Sequence, residues 1–212
     1  MMKVIPLTRG KYTIVDDEDY ERLMQHSWAW VPSTNSKSGM GYAVRKGSKR
    51  RGEPRTVQMH REILHAAEGS IIDHLNRNGL DNRKANLRFA SVQKNAFNRS
   101  KPIMKCTSRY KGVFQRKNKN CWTARIKYND RHVELGSYED EEKAAAVYNF
   151  ASRIFFGRYR CENQGVEELT LSEQWQVFEK AKRYISKYGW YVDTQTYRSF
   201  FMEKEAKDEA CA

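Results

Sequence analysis

The sequence predicts an α+β protein in which two small units are joined by a basic connection. Short segments with strand-like alternation, such as residues 11–15, are interspersed with short helical stretches in the first half of the chain. Residues 96–109 contain four cations and no acid around Pro102, which is typical of an extended linker. Beyond residue 110 the pattern changes to three consecutive strands and an amphipathic helix.

Composition indicates a polyanionic partner. The 212 residues include 39 Lys and Arg against 26 Asp and Glu, a formal charge of +13, which suits nucleic acid or an acidic membrane surface. No apolar run approaches the roughly 20 residues that span a bilayer, and the N-terminus lacks the apolar core of a signal peptide. The four cysteines are far apart without a CxxC pair, which favours free thiols over zinc or disulfides. We therefore expect an intracellular protein of a bacterial host or a phage.

The first half of the chain predicts small elements. They are a strand at 11–15, a helix with an acidic first turn at 16–28, strands at 28–31 and 42–46 around a polar loop, and a strand running into a helix at 56–64. Residues 45–61 hold seven cations and one acid. Two interpretations of that stretch remain open, a solvated hairpin tip and a phosphate-facing edge.

Residues 71–98 carry the chemistry. Two short apolar runs flank a loop rich in Asn, Asp and Gly, which tolerate tight turns, and a helix capped by Ser91 follows. Cutting a phosphodiester requires an activated water, a cation and help for the departing oxygen. His74 can supply the base, since imidazole titrates near neutral pH. Asp73 and Asn95 offer oxygen ligands. Oxygen ligands favour hard cations, so the expected metal is one Mg²⁺ or Mn²⁺ ion.

This region resembles the HNH endonucleases, in the branch found in phage and intron homing enzymes. The motifs are HREIL at 60–64, IDHLNRNGLDNRKANLR at 72–88, and the asparagines at 95 and 98. The resemblance implies two strands and a helix around one divalent metal. It implies His74 as general base, Asp73 and Asn95 as metal ligands, and Asn86 as the residue that braces the loop and orients the His74 ring. Some relatives have His where this chain has Asp73 and Asn95, which shifts the expected metal from Zn²⁺ towards Mg²⁺ or Mn²⁺.

Several roles within this region remain open. Asn98 lies one helical turn after Asn95 and could be the second ligand instead. His60 either touches phosphate or the leaving group, or packs within a strand. Arg61 and Arg88 either clamp phosphates or pair with acids.

The second half predicts a sheet with a helix behind it. Strands at 110–116, 121–128 and 132–138 are followed by a helix capped by Asp140 and stopped by Gly157, with a tight turn at Asn129 and Asp130. Because alternate residues share a face, Trp122, Ala124 and Ile126 should cover the helix with Val133 and Leu135. Thr123, Arg125, Lys127 and His132 then face outward, where cations can read guanines or hold phosphates.

Residues 108–163 resemble the APETALA2-type DNA-binding domain. The motifs are YKGV at 110–113, WTARI at 122–126, LGSY at 135–138, EEKAAAVY at 141–148 and FG at 156–157. The resemblance implies that the sheet enters the DNA groove and contacts it through basic residues, namely Arg109, Lys111, Arg116, Arg125, Lys127 and His132. Phe114 and Glu134 depart from plant members of that family, which leaves the target sequence open.

The predicted organisation has four parts: an HNH domain at 1–98 with its core motif at 56–98, a basic linker at 99–108, an APETALA2-like domain at 109–163, and a helical extension at 164–212 that contains a capping box from Thr170 to Glu173. We expect a metal-dependent endonuclease, a homing enzyme by resemblance, that acts without a membrane partner on double-stranded DNA at a site chosen by the second domain. A monomer, the favoured state, should nick one strand, whereas a dimer could cut both. A DNA-binding regulator with an inactive nuclease site and an RNA-binding protein remain alternatives. The extension could dimerise, pack on its neighbour or touch DNA.

Overall fold

The computed structural model describes residues 1–33, 40–98, 107–116 and 120–210. The chain divides into two compact units, residues 1–98 and 99–212. Both combine small antiparallel sheets with helices, so the predicted α+β class is confirmed. Most of the predicted linker, residues 99–106, lies outside the described residues, as do residues 34–39 of the predicted polar loop.

The first unit contains three small sheets and three helices among its described residues. In chain order they are β1 (Met2–Pro6), β2 (Tyr12–Asp16), α1 (Asp17–Met24), β3 (Ala29–Pro32), β4 (Gly41–Lys46), β5 (Thr56–Gln58), α2 (Met59–Ile63), β6 (Ile71–His74), β7 (Leu87–Ala90) and α3 (Val92–Phe97). Strand β1 pairs with β2, β4 lies between β3 and β5, and β6 pairs with β7. The predicted strand that runs into a helix at 56–64 is confirmed as β5 and α2.

One core serves the first unit. It is formed by apolar side chains from all three sheets and both early helices: Ile5, Leu7, Val15, Leu23, Trp28, Ala43, Met59, Ile63 and Leu87. Strand β1 was not predicted. Of its side chains only Ile5 is buried, while Met2 and Val4 are exposed, so the segment lacks the alternation of a half-buried strand.

The basic stretch at 45–61 is less uniform than either interpretation proposed. Arg45 is buried, and its guanidinium bonds Glu53 at 2.8 Å and Glu62 at 2.8 Å. This cation therefore belongs to the interior of the fold. Lys46, Lys49 and Arg55 are exposed, and either interpretation stays open for them.

The second unit places a three-stranded sheet against helices. Its elements are β8 (Val113–Gln115), β9 (Trp122–Tyr128), β10 (Arg131–Tyr138), α4 (Glu141–Phe156), α5 (Leu171–Tyr188) and α6 (Gln195–Ala210), with β9 in the centre of the sheet. The turn at Asn129 and Asp130 has positive φ at both residues, as a tight hairpin requires. The caps predicted at Asp140 and Thr170 are confirmed, the latter as a complete capping box.

The sheet alternation holds except at Thr123, although Trp122 is only half-buried. Ala124, Ile126, Val133 and Leu135 are buried as predicted. Thr123 was expected to face solvent, but it is 1% exposed and its hydroxyl lies 3.0 Å from that of Ser137 on β10. A hydroxyl paired across two strands can be covered at little cost, because its hydrogen bond is satisfied.

The C-terminal extension packs within the second unit. Phe178 and Ile185 of α5 are buried, together with Val177 and Ala181, while Trp175 and Tyr188 are half-buried. Phe200 of α6 packs edge-on against Trp175, with 4.9 Å between ring centres. The extension is therefore part of the core of this unit. None of the helices in the described parts of the chain is long and apolar enough to cross a membrane.

Candidate active site

The loop between β6 and β7 is held by its own short polar side chains. Asn76 Oδ1 accepts from the amide of Asn78 at 2.9 Å, and Asn78 Oδ1 accepts from that of Leu80 at 3.1 Å. Gly79 permits a close approach, since a Cβ there would lie 2.5 Å from the carbonyl oxygen of Gly41. The abundance of Asn, Asp and Gly thus produces a compact loop that begins directly after His74.

Asn86 braces this loop from the far end. Its Nδ2 donates to the carbonyl of Asp81 at 2.7 Å and to Asn76 Oδ1 at 3.0 Å, and its Oδ1 accepts from the Asn76 amide at 3.0 Å. The resemblance also implied that Asn86 orients the His74 ring. The side chain that the structure places on that ring is Asn82, whose Oδ1 lies 3.1 Å from His74 Nε2.

His74 ends β6 and is enclosed by rings. It is 6% exposed, and its ring centre lies 5.1 Å from that of His60 and 6.0 Å from that of Tyr42. Burial lowers the pKa of His74, while the hydrogen bond with Asn82 and the carboxylate of Asp73 oppose that shift. A neutral imidazole at physiological pH can accept a proton, as a general base must.

His60 lies on α2, packed against His74, rather than in a strand. It is 6% exposed, and burial together with the neighbouring His74 and Arg61 lowers its pKa to about 3. The two terminal nitrogens of Arg61 donate to the carbonyls of Ser70 and Ala67, at 2.6 and 2.7 Å, and its role in clamping phosphate stays a prediction. Arg61 therefore ties α2 to the turn before β6.

Asp73 is enclosed by protein donors. It is 7% exposed and faces Arg88 across the β6–β7 pair. Its Oδ2 accepts from Arg88 Nε at 2.9 Å and from Nη2 at 2.5 Å, and its Oδ1 accepts from Asn98 Nδ2 at 3.0 Å. Of the two roles considered for Arg88, pairing with an acid is the one observed.

The two asparagines after β7 differ in position. Asn98 follows α3 and is 4% exposed, and its Nδ2 lies 3.0 and 3.2 Å from the Asp73 oxygens and 2.9 Å from the carbonyl of His74. Asn95 is half-buried within α3. In the described region, no hydrogen bond joins its side chain to Asp73 or His74. The structure thus brings Asn98 to the predicted ligand carboxylate.

Oxygen atoms converge beside His74 in a way that suits a hard cation. Two carboxylate oxygens of Asp73 and the carbonyl oxygen of His74 surround one point, at which the Asn98 amide nitrogen lies. Mg²⁺ and Mn²⁺ prefer such ligands. No group of three or more His, Cys, Asp or Glu side chains that could hold a metal occurs among the described residues. A cation held here by one carboxylate and neutral oxygens would have to displace the Asn98 amide and share Asp73 with Arg88.

A comparison with curated proteins found one viral relative. The chain is 33% identical over 114 residues to a protein of Acanthamoeba polyphaga mimivirus that is named an uncharacterized HNH endonuclease. The match covers 51% of this chain and 58% of that relative, so the chain spans little more than half of the relative's length. No family model matches the chain.

The basic side chains of the second unit lie on its surface. Arg125 stacks on Phe114, with its guanidinium carbon 4.6 Å from the ring centre, and His132 is exposed. Three cations have acidic partners: Arg116 with Glu134 at 2.6 Å, Lys127 with Asp130 at 2.9 Å and Arg109 with Glu142 at 2.9 Å. Lys111 is half-buried, and its backbone amide donates to Asn163. Exposed ion pairs are weak, so a phosphate can replace the acid in each of the three.

Sequence reasoning missed three side chains around His74: Asn82, Thr13 and Tyr42. Asn82 looks like any other turn residue of an Asn-rich loop. Thr13 carried a usable signal, because it is in phase with the buried Val15 and is therefore a polar residue on the inner face of β2. Tyr42 comes from a separate sheet, and only the fold brings its ring to His74.

Proposed function

We propose that the first unit is a metal-dependent endonuclease of the HNH type and that the second unit holds its DNA. The observation that carries the proposal is the arrangement at the end of β6, where a buried imidazole adjoins a carboxylate and a cluster of oxygens. The HNH name of the mimivirus relative supports the same assignment. The charge of +13 supports a polyanionic substrate.

The residues of the site divide into three tasks. His74 takes the proton of the attacking water. Asp73 would hold the cation together with Asn98, whose amide would turn to present Oδ1 in place of Nδ2, or together with Asn95. A bound Mg²⁺ or Mn²⁺ would supply charge neutralisation at the scissile phosphate. Asn86 keeps the loop after His74 closed through its bonds with Asn76 and Asp81.

In this proposal the second unit binds the DNA. Its exposed cations lie on or beside a three-stranded sheet, as in the APETALA2-type domains that the sequence resembles. Double-stranded DNA is therefore the proposed partner, and a homing endonuclease of a mobile element the proposed biological class. Arg125 is the leading candidate for base contact, since it is the cation on the central strand that stacks on a ring rather than pairing with an acid.

A second function has one observation in its favour. Asp73 is already saturated by Arg88 and Asn98, and a carboxylate committed to an ion pair is a poor metal ligand. A DNA-binding regulator with an idle nuclease site is therefore the alternative. It differs from the proposed enzyme in a single measurable property, the cutting of DNA.

Plasmid nicking separates the two. Supercoiled plasmid is incubated with the full chain and Mg²⁺ or Mn²⁺, and we expect nicked circles that chelator prevents. His74→Ala should remove nicking while DNA binding persists. His65→Ala is the matched control, because His65 is an exposed histidine of the same unit. Binding without nicking by the unaltered chain, on DNA that contains its target, would favour the regulator.

A further inference from the structure

Two buried polar side chains meet behind the His74 ring. Thr13 on β2 is 0% exposed and Asn82 is 1% exposed. Asn82 Nδ2 lies 2.8 Å from Thr13 Oγ1, and Asn82 Oδ1 lies 3.1 Å from His74 Nε2. The hydroxyl, the amide and the imidazole therefore form a chain of hydrogen bonds. The groups around this chain determine which partner donates in each bond.

The direction is set at the far end by Leu80. Its carbonyl accepts from the amide of Ile14 at 2.8 Å and from Thr13 Oγ1 at 2.8 Å. A carbonyl can only accept, so the single hydroxyl proton of Thr13 points to Leu80. The other acceptor near that hydroxyl is the sulfur of Met59 at 3.9 Å, which is both distant and weak.

Thr13 consequently offers only lone pairs to Asn82. The group of Asn82 that faces Thr13 must be the donor Nδ2, and the opposite side of the amide, Oδ1, then faces His74. The second Nδ2 proton is directed towards the Met59 sulfur at 3.7 Å. The reversed amide would place its oxygen against the Thr13 lone pairs, or would require Thr13 to abandon Leu80. Thr13 therefore fixes the orientation of Asn82.

An amide oxygen also only accepts, so the atom opposite it, His74 Nε2, must carry a proton. Neutral imidazole has one ring proton, which leaves the lone pair on the other nitrogen. We infer that Thr13 and Asn82 are positioning residues that hold His74 as the Nε2–H tautomer, so that Nδ1 is the nitrogen that accepts a proton. The role of Nδ1 in activating water rests on the proposed nuclease function, whereas the tautomer does not.

The tautomer is directly measurable. Long-range ¹H–¹⁵N correlation spectra of the full chain with ¹⁵N-labelled histidine distinguish protonated from unprotonated ring nitrogens, and His74→Ala assigns the His74 signals among the five histidines. We expect a protonated Nε2 and an unprotonated Nδ1 in the neutral ring. A protonated Nδ1 and an unprotonated Nε2 in the unaltered chain would overturn the inference. This test needs only the His74→Ala variant that assigns the signals.

Variants at Thr13 test the cause. Thr13→Val removes the hydroxyl at nearly constant shape, so the Asn82 amide is free to turn, and we expect mixed tautomer signals and about tenfold slower nicking. Thr13→Ser keeps the hydroxyl and should show the single tautomer and the nicking rate of the unaltered chain. Thr56→Val, the same change at an exposed position of β5, controls for the substitution itself. An unchanged protonation pattern of the His74 ring nitrogens in folded Thr13→Val would show that Thr13 does not position the ring.

If the unaltered chain shows the expected tautomer but does not nick DNA, the nuclease proposal fails and the tautomer assignment stands.

Discussion

The surroundings of His74 and the basic surface of the second unit use charge in opposite ways. Around His74 the polar groups are buried, and protein atoms hold them: Asp73 is 7% exposed and its partner Arg88 8%. On the second unit the ion pair of Arg116 and Glu134 has side chains that are 37% and 51% exposed. Buried pairs fix geometry and are costly to break, whereas exposed pairs exchange readily with other ions. The first arrangement suits chemistry on a defined atom, and the second suits the grip on a phosphate backbone.

The largest contrast is expected when one arginine is removed from each region. Arg88→Ala leaves the Asp73 carboxylate buried without its cation, and we expect a loss of about 3–5 kcal/mol in the free energy of unfolding of the first unit. Arg116→Ala is the matched change on the surface and should cost about 0–1 kcal/mol. Urea denaturation measures both. Similar losses for the two variants would show that the difference in burial does not govern their energetics.

The asparagines test which side chain belongs to the cation site. Asn98→Ala removes the donor shared by Asp73 and the His74 carbonyl, and should destabilise the first unit by about 1–3 kcal/mol. It should also weaken Mn²⁺ binding, measured by calorimetry, because Asn98 Oδ1 is lost as a proposed ligand. Asn95→Ala should change stability by about 0.5 kcal/mol or less, since its side chain is only half-buried. Weaker Mn²⁺ binding in Asn95→Ala alone would restore the ligand set that the sequence resemblance implied.

Arg125, the half-buried arginine of the central strand, should affect DNA binding rather than folding. Arg125→Ala is expected to cost about 1–3 kcal/mol in affinity for a target duplex if Arg125 contacts a base. The midpoint of thermal unfolding should hardly change. Fluorescence anisotropy with target and random duplexes at several salt concentrations separates the possibilities, since an equal loss on both duplexes would make Arg125 a phosphate contact.

The last prediction concerns the dependence of stability on pH. The pKa of His60 is held near 3 in the folded state against 6.5 in the unfolded chain, so below about pH 6.5 the unfolded chain binds a proton that the folded one does not. Stability should therefore be full above that pH and fall as the solution is acidified, by on the order of 1 kcal/mol per pH unit. His60→Phe should reduce this slope in urea denaturation between pH 7 and pH 5. An unchanged slope would mean that His60 does not contribute.

Local patterns account for what the sequence could predict. The helix caps at Ser91, Asp140 and Thr170 depend on neighbours within three residues, and each is observed. Strand β1 was missed because Ile5 is its single buried side chain. Thr123 was misplaced because alternation reports the face of a strand and not what covers that face.

The candidate site divides in the same way. Asp73 and His74 are adjacent in the chain, and their motif made them visible. The contact of Asn82 with Thr13 joins residues 69 positions apart, and Arg88 reaches Asp73 only through the register of β6 and β7. Such partners depend on the fold and could not be derived from local sequence.

The most direct measurement is the single-turnover rate at which the full chain cleaves a labelled target duplex in Mn²⁺, compared between the unaltered protein and His74→Ala, with affinity for the duplex measured on the same samples. We predict that the rate falls by about 10²-fold or more while the affinity stays the same, since general-base catalysis contributes on that scale. Cleavage by His74→Ala at the rate of the unaltered chain would contradict the account.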